Sequence, residues 1–141
     1  MEVRPARTPD ELAEALRLRQ RVFADEQGVP VAADRDGRDP EALHVVAVEE
    51  GRVIGTCRLV FDGRVARLGR MAVEARRRGA GVGRAVLEEA ERLSREAGAV
   101  RIALHAQTYV SELYARAGFV ERGQKFFEEG IEHVAMEKRL A

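Results

Sequence analysis

Apolar residues recur at helical spacing near the start of the chain and predict a first helix there. Thr8 can cap this helix, and Glu11 can complete a capping box with it. Gly28 and Pro30 are expected to end the helix. The residues that follow, 31–41, are mostly polar and predict a loop.

Alternation of apolar and polar residues predicts strands in most of the remaining chain. Three consecutive antiparallel strands are expected, with a two-residue hairpin turn at Asp62-Gly63. A long helix follows and ends at Gly98, and the strand after it should run parallel to the strand before it, as one right-handed βαβ unit. A second helix is predicted over 108–117, with Gly118 at its end. The predicted strands are 3–6, with Pro5 near a sheet edge, and 43–49, 52–61, 64–73, 100–104, 119–127 and 131–140.

This order of elements predicts an α/β fold: a mixed, mostly antiparallel sheet with helices on both faces. With 141 residues, the chain suits a single domain over 1–141.

The segment 68–87, LGRMAVEARRRGAGVGRAVL, joins an apolar strand to an amphipathic helix through a basic, glycine-rich loop. Unpaired backbone N–H groups and the helix dipole make such a helix start a site for an anion, most often phosphate. The segment is not a P-loop, because no Lys-Ser or Lys-Thr follows the glycines. Its GxGxG spacing also differs from the GxGxxG of dinucleotide-binding loops. The residues by themselves therefore predict a phosphate site, and a glycine-rich turn with solvated arginines is the alternative.

Charge and composition narrow the function classes. Basic and acidic residues number 24 each, so no global field favours nucleic acid or a membrane surface. The single cysteine, Cys57, excludes an internal disulfide and is expected to be a packed core thiol. No secretory segment and no membrane-length apolar run is recognised, which makes a cytoplasmic location the expectation.

The order Arg78-x-x-Gly81-x-Gly83 after an apolar strand resembles the pyrophosphate loop of the GNAT superfamily of N-acetyltransferases, and the element order resembles the GNAT fold over nearly the whole chain. The resemblance implies acetyl-CoA as cosubstrate, an amine as acceptor and no metal ion. It implies that the strands on either side of the long helix splay apart, with the pantetheine arm between them. The cofactor-binding residues that it implies are Met71, Ala72, Val73, Arg78, Gly79, Ala80, Gly81, Val82, Gly83, Arg84, Gln107 and Tyr114.

Several shorter motifs are most similar to the small bacterial ElaA-like branch of that superfamily. They are DEQGV at 25–29, HAQ at 105–107 and EGIxH at 129–133. Within the second of these, Gln107 stands where relatives often carry Asn.

Candidate catalytic residues come from the same resemblance and from amine chemistry. Tyr114, in the pattern LYxxxGF, is implied to protonate the departing thiolate; a packing aromatic is the alternative. An attacking amine must lose a proton, and the candidate bases are Glu26 and His105, with His44 and His133 behind them. Each of these four also has a structural interpretation. Three further acidic residues could attract a cationic acceptor or could belong to a solvated turn, namely Asp34, Asp36 and Asp39.

The leading interpretation is transfer of an acetyl group from acetyl-CoA to a primary amine by direct attack in a ternary complex. A non-catalytic coenzyme-A-binding module is the main alternative. A nucleic-acid binder using 76–78 is weakened by the zero net charge and by the few aromatics, two Tyr and five Phe. A nicotinamide oxidoreductase lacks the glycine spacing and a second domain. The sequence leaves open which amine is the acceptor, whether another acyl-CoA is preferred and whether the chain forms a homodimer.

Overall fold

The computed structural model describes all residues, Met1–Ala141. Seven strands form one mixed sheet in the order β1-β2-β3-β4-β5-β7-β6. The strands are β1 (Glu2–Pro5), β2 (Leu43–Glu49), β3 (Arg52–Asp62), β4 (Val65–Val73), β5 (Arg101–Gln107), β6 (Val120–Glu128) and β7 (Ile131–Arg139). The helices are α1 (Pro9–Arg19), α2 (Val31–Asp34), α3 (Val82–Glu96) and α4 (Ser111–Arg116). None of the helices combines the length and the apolar character needed to cross a membrane.

The start of α1 differs from the predicted capping box. Thr8 Oγ1 accepts a hydrogen bond from the N–H of Glu11 at 3.1 Å, as expected of an N-cap. The carboxylate of Glu11 does not return this contact to Thr8. It accepts instead from the N–H of Arg7 at 2.7 Å and from the guanidinium of Arg4 on β1 at 2.7 and 2.8 Å. The competing partner is a charged group on a neighbouring strand, which the helix pattern does not reveal.

The predicted first helix is only partly α-helical, and the predicted loop after it is more ordered than expected. The chain continues from α1 as a π-helical segment over Gln20–Glu26 and turns at Gly28, where φ is 73°. Residues 31–41, predicted as a loop, contain α2 and a short 3₁₀ turn at Asp39–Glu41. Buried ion pairs described below hold this segment against the sheet.

The hairpin between β3 and β4 turns one residue later than predicted. Asp62 pairs with Val65, so the turn residues are Gly63 and Arg64. The Asp62 carboxylate accepts hydrogen bonds from two arginines, at 2.7 Å from Arg67 Nε and 2.8 Å from Arg38 Nη2. Gly63 takes the first turn position with φ of 62°, and Arg64 has no positive φ, which is the pattern of a type II′ turn.

The core lies on both faces of the sheet. On one face α3 contributes Val82, Val86, Leu87 and Ala90 to a cluster with residues of β2 to β5 and β7. On the other face α1 packs over β2, β3 and β4. The expected helices on both faces are therefore confirmed. Helix α3 lies so close to β3 that a Cβ added at Gly55 would lie 2.6 Å from Val82 Cγ1.

Cys57 is a core thiol, as expected, with 1% of its surface exposed. Burial raises the pKa of its thiol far above the ordinary value, because the thiolate would lose its hydration.

The parallel pair β4–β5 is short, and this shapes the rest of the molecule. Only the beginnings of the two strands pair, residues 65–67 with residues 101–103. Beyond them the strands diverge, as the GNAT resemblance implied. On its other side β4 carries a bulge, in which Arg70 and Met71 lie opposite Cys57 of β3. Arg70 adopts the left-handed conformation with φ of 56°. The divergence opens a cleft through the sheet.

Candidate active site

A cleft of about 1640 Å³ opens where β4 and β5 diverge. Its walls come from the second half of β4, the glycine loop, the start of α3, α4 and the face of β5, β7 and β6. A single small-molecule pocket usually measures roughly 300 to 1,000 Å³. This cleft therefore has room for an extended ligand together with a second molecule.

The glycine loop forms one end of the cleft. Gly79 and Gly81 have φ of 80° and 86°, values that residues with a side chain rarely adopt. No side chain caps α3, and the N–H groups of Val82, Gly83 and Arg84 donate no hydrogen bond within the protein. A Cβ added at Gly79 or Gly81 would meet no protein atom within 4 Å, so the space in front of the loop is open. These free donors at a helix start suit a diphosphate.

Two arginines of this region have partners within the protein. Arg78 Nη2 lies 2.7 Å from Glu26 Oε1, and Arg78 Nε donates to the carbonyl of Val73 at 3.1 Å. Arg84, exposed on the first turn of α3, pairs with Glu88 at 3.0 Å. Ala80 is exposed between the two positive-φ glycines. Glu26, a candidate base, is thus the ion-pair partner of a candidate phosphate ligand.

The second half of β4 lines the cleft with backbone that has no strand partner on the β5 side. Met71 and Val73 are half-buried there, whereas the side chain of Ala72 is buried under α1. Any contact of Ala72 with a ligand would therefore be through its backbone.

Tyr114 lies in the cleft wall on α4, with 5% of its surface exposed. Its ring packs edge-on against Phe119, with centroids 5.9 Å apart. Its hydroxyl has no hydrogen-bond partner in the protein. Burial, in the first place, and the neighbouring Cys57 raise the pKa of the phenol above its ordinary value. The group therefore stays protonated and can donate a hydrogen bond to a ligand.

His105 lies on the opposite wall in contact with a carboxylate. His105 Nδ1 is 2.8 Å from Glu128 Oε1, and the imidazole lies edge-on to Phe126 with ring centroids 5.0 Å apart. Phe126 in turn stacks on His133, at 6.0 Å between centroids. A carboxylate on Nδ1 favours the tautomer with its proton there, which leaves the Nε2 lone pair free to accept a proton.

The other two histidines have structural contacts. His44 is buried outside the cleft, and its Nε2 lies 3.0 Å from the carbonyl of Asp39. His133 lines the cleft, but its Nδ1 lies 2.7 Å from the carbonyl of Ile131. Gln107 exchanges amide hydrogen bonds with Gln27 at 2.9 and 3.3 Å, so the two amides hold each other across the cleft.

The three carboxylates of segment 31–41 are neutralised within the protein. Asp34 pairs with the fully buried Arg19 at 3.1 Å, and Asp34 Oδ1 lies 3.0 Å from Arg70 Nε in the β4 bulge. Asp36 pairs with Arg58, which holds the pKa of that carboxyl far below its usual range. Asp39 pairs with both Arg19 and Arg58. These carboxylates fasten the segment to the sheet, and no unpaired acidic group remains among them for a cationic acceptor.

Sequence reasoning missed Glu128, Phe126 and Gln27 as members of the site. Each lies far along the chain from the residue that it contacts. Of these residues, only Gln27 belongs to a motif that the sequence analysis singled out, DEQGV. That motif indicated a family resemblance and gave no information about the contact that Gln27 makes.

Comparisons with known proteins agree with this fold. Residues 5–140 match the family described as the acetyltransferase (GNAT) domain. The protein YyaT of Bacillus subtilis is 31% identical over 144 residues, which cover 100% of this chain and 97% of YyaT. An acyl-CoA N-acyltransferase from Pseudomonas aeruginosa shares the fold at a TM-score of 0.87, with 26% identity over 98% of this chain and 99% of its own.

Escherichia coli ElaA also has this fold, with a TM-score of 0.87 and 22% identity over 98% of this chain and 99% of its own. The resemblance to ElaA is thus confirmed in the fold. The chain belongs to the GNAT family and is an acyl-CoA-dependent acetyltransferase.

Proposed function

We propose that this enzyme transfers the acetyl group of acetyl-CoA to a primary amine, by direct attack of the amine while both substrates are bound. The observation that carries the proposal is Tyr114: a buried phenol with no protein partner, in the wall of the cleft between the diverging strands. A cleft that merely held coenzyme A would not need such a donor. The non-catalytic alternative is therefore disfavoured.

The residues of the cleft fit acetyl-CoA. The free N–H groups at the start of α3, with Gly79 and Gly81, would hold the diphosphate, and Arg78 would add positive charge beside it. The unpaired side of β4 at Met71 and Val73 would bind the pantetheine arm by sheet-like hydrogen bonds. A backbone N–H in this part of β4 would stabilise the negative charge that develops on the acetyl oxygen.

Tyr114 would donate its proton to the sulfur as the C–S bond breaks. The leaving thiol has an ordinary pKa of about 8.5, and a proton donor beside the sulfur would stabilise the charge that develops on it as the bond breaks. Burial holds the phenol in its neutral form, so the proton that this donation needs is present at neutral pH.

His105 would accept the proton of the amine. Glu128 orients the imidazole through Nδ1, and Nε2 remains available as the base. Glu26, the other candidate, is engaged by Arg78 in the structure. The proposal therefore assigns His105 as the base and Glu26 as the group that orients Arg78.

The test is an acceptor screen with acetyl-CoA that monitors the released thiol, followed by variants of the two candidate bases. His105→Ala should lower turnover strongly near neutral pH. Its defect should shrink as the pH approaches the pKa of the amine, about 10.4 for a lysine-like acceptor, because the free amine then needs no base. Glu26→Gln is the matched comparison and should lack this recovery. A defect of His105→Ala that is the same at every pH contradicts the assignment of His105 as the base. A screen in which none of the amines causes thiol release contradicts the proposed function.

A further inference from the structure

The face of β5 opposite α3 continues the cleft past His105. Ile102, Leu104 and Ala106 point into the core under α3, so the alternate residues of β5 point to the other face. Across the ladder the corresponding residues of β7 share that face. The pairs on this face are Arg101 with Arg139, Ala103 with Glu137, His105 with Ala135, and Gln107 with His133. The small side chains of Ala103 and Ala135 leave a shallow path from His105 toward Arg101.

Positive charge collects at the end of this path. Arg101 and Arg139 lie directly opposite each other in the ladder, an arrangement of like charges that destabilises a strand pair. Arg122 of β6 pairs with Glu137 at 2.9 Å. Arg122 first, and Arg101 and Arg139 through their charge, hold the pKa of Glu137 below its usual range. Glu137 is ion-paired with Arg122 alone, so Arg101 and Arg139 face each other without an ion-pair partner of their own. An anion between Arg101 and Arg139 would relieve their repulsion.

A shallow depression of about 280 Å³ lies at this cluster, and it shares Arg101, Arg122 and Glu137 with the main cleft. Among the arginines that line the cleft, Arg101 alone has no carboxylate partner. The paired ones are Arg38, Arg58, Arg67, Arg70, Arg77, Arg78, Arg84, Arg116 and Arg122. Arg101 is therefore the cation in the cleft that is free to bind a ligand.

We infer that the acceptor is an amine that also carries an anionic group, and that Arg101 binds this group with help from Arg139. The inference rests on the proposed function, since it places the amine at His105. Arg101 precedes His105 by four residues on one strand, which corresponds to about 13 Å between their Cα atoms. Allowing for the length of the arginine side chain, the amine and the anion of the acceptor are on the order of 10 Å apart. A guanidinium can bind either a carboxylate or a phosphate through two hydrogen bonds.

A series of ω-aminoalkanoic acids of increasing length serves as a molecular ruler. Each acid is compared with its primary amide, which keeps the amine and the chain but lacks the negative charge. We expect the acid to be preferred in kcat/KM by roughly two- to fivefold at the length that spans the gap, a ratio of the size expected for exposed ion pairs. The matching ω-aminoalkylphosphonate distinguishes a phosphate-type anion from a carboxylate.

Arg101→Gln should abolish the preference for the acid while turnover of the amide persists. Arg64→Gln is the matched control, because Arg64 is also exposed and without an ion pair but lies in the β3–β4 turn outside the cleft. Coenzyme A affinity, measured by calorimetry, should be the same in both variants.

Equal kcat/KM for acids, amides and phosphonates at every length overturns the inference and leaves amine acetylation intact. An equal loss of preference in Arg101→Gln and Arg64→Gln also overturns it. If no amine in the series is acetylated, the proposed function fails as well, so the two failures are distinguishable.

Discussion

Replacing Tyr114 with Phe removes one oxygen atom from the cleft and little else. The hydroxyl has no protein partner, so no buried group loses a hydrogen bond when it is deleted. The ring and its edge-on contact with Phe119 remain. We therefore expect the free energy of unfolding to change by less than about 1 kcal/mol.

The effect on the reaction should be far larger than the effect on folding. A positioned proton donor typically contributes on the order of a hundredfold to ten-thousandfold in rate, which is about 2.7 to 5.5 kcal/mol of activation free energy. Because burial raises the pKa of Tyr114, the wild-type phenol stays protonated throughout the usual assay range. Deprotonation of this group should therefore not limit wild-type activity below about pH 10.

The assay is single-turnover stopped flow with a thiol reagent, together with equilibrium binding of acetyl-CoA. The reagent should report released coenzyme A alone, because the only cysteine, Cys57, is 1% exposed. Turnover of Tyr114→Phe should fall strongly while the affinity for acetyl-CoA stays within a few-fold of wild type, as expected for an interaction made mainly in the transition state.

The second tyrosine supplies the control. Tyr109 also lines the cleft, but it is 69% exposed and its hydroxyl accepts a hydrogen bond from Gln27 at 3.1 Å. Tyr109→Phe makes the same chemical change and should alter the chemical step little. A chemical step in Tyr114→Phe as fast as that of wild type would refute the reasoning and leave Tyr114 as a packing residue.

Three further predictions concern the fold and its links to the cleft. Gly83→Ala should raise the thermal midpoint, because the residue is helical and Ala is favoured over Gly in a helix by about 1 kcal/mol. It should also weaken coenzyme A binding in calorimetry, because its Cβ would point between two residues of the cleft wall at 3.6 Å from each. A variant that binds coenzyme A as tightly as wild type contradicts the placement of the loop. Gly55→Ala should destabilise the protein by roughly 1 to 3 kcal/mol in chemical denaturation, because its Cβ would lie 2.6 Å from Val82 Cγ1. The same substitution should cost less in a Val82→Ala background, and strictly additive losses would show that the contact is not the cause. Arg4 lowers the pKa of Glu11 to about 2, so the Glu11–Arg4 ion pair stabilises the fold above the unfolded pKa near 4.5, and this stabilisation is lost as the pH falls toward 2. The thermal midpoint of Glu11→Gln should therefore decline less than that of wild type across this pH window. An equal decline in the two proteins would count against the ion pair.

Much of the fold could be predicted from patterns within single elements. Strand and helix periods, the end of α3 at Gly98 and the final hairpin, predicted around Glu128-Glu129-Gly130, each depend on neighbouring residues. In the structure Glu128 belongs to β6, and the turn is the two residues Glu129 and Gly130, whose positive φ of 51° and 75° is what a tight type I′ turn requires. The glycine loop before α3 was predictable for the same reason, since its free N–H groups belong to one short segment.

Local patterns failed where a charged group from elsewhere competes. Glu11 contacts Arg4 on β1 rather than closing a capping box. Segment 31–41 is polar in sequence but is fixed to the sheet by ion pairs with Arg19 and Arg58. The sequence shows these charges but not their partners.

The amino-acid sequence alone determined the family and most of the element order of this protein, and it located the glycine loop before α3. The tertiary structure alone decided which partner each candidate base has. His105 meets Glu128 only because β7 lies between β5 and β6, so that residues 23 apart in the chain project from the same face of the sheet. Arg101 meets Arg139 through the same strand order. Periodicity reports which face of an element is buried, whereas strand order and register decide which side chains meet, and these depend on packing of the whole chain.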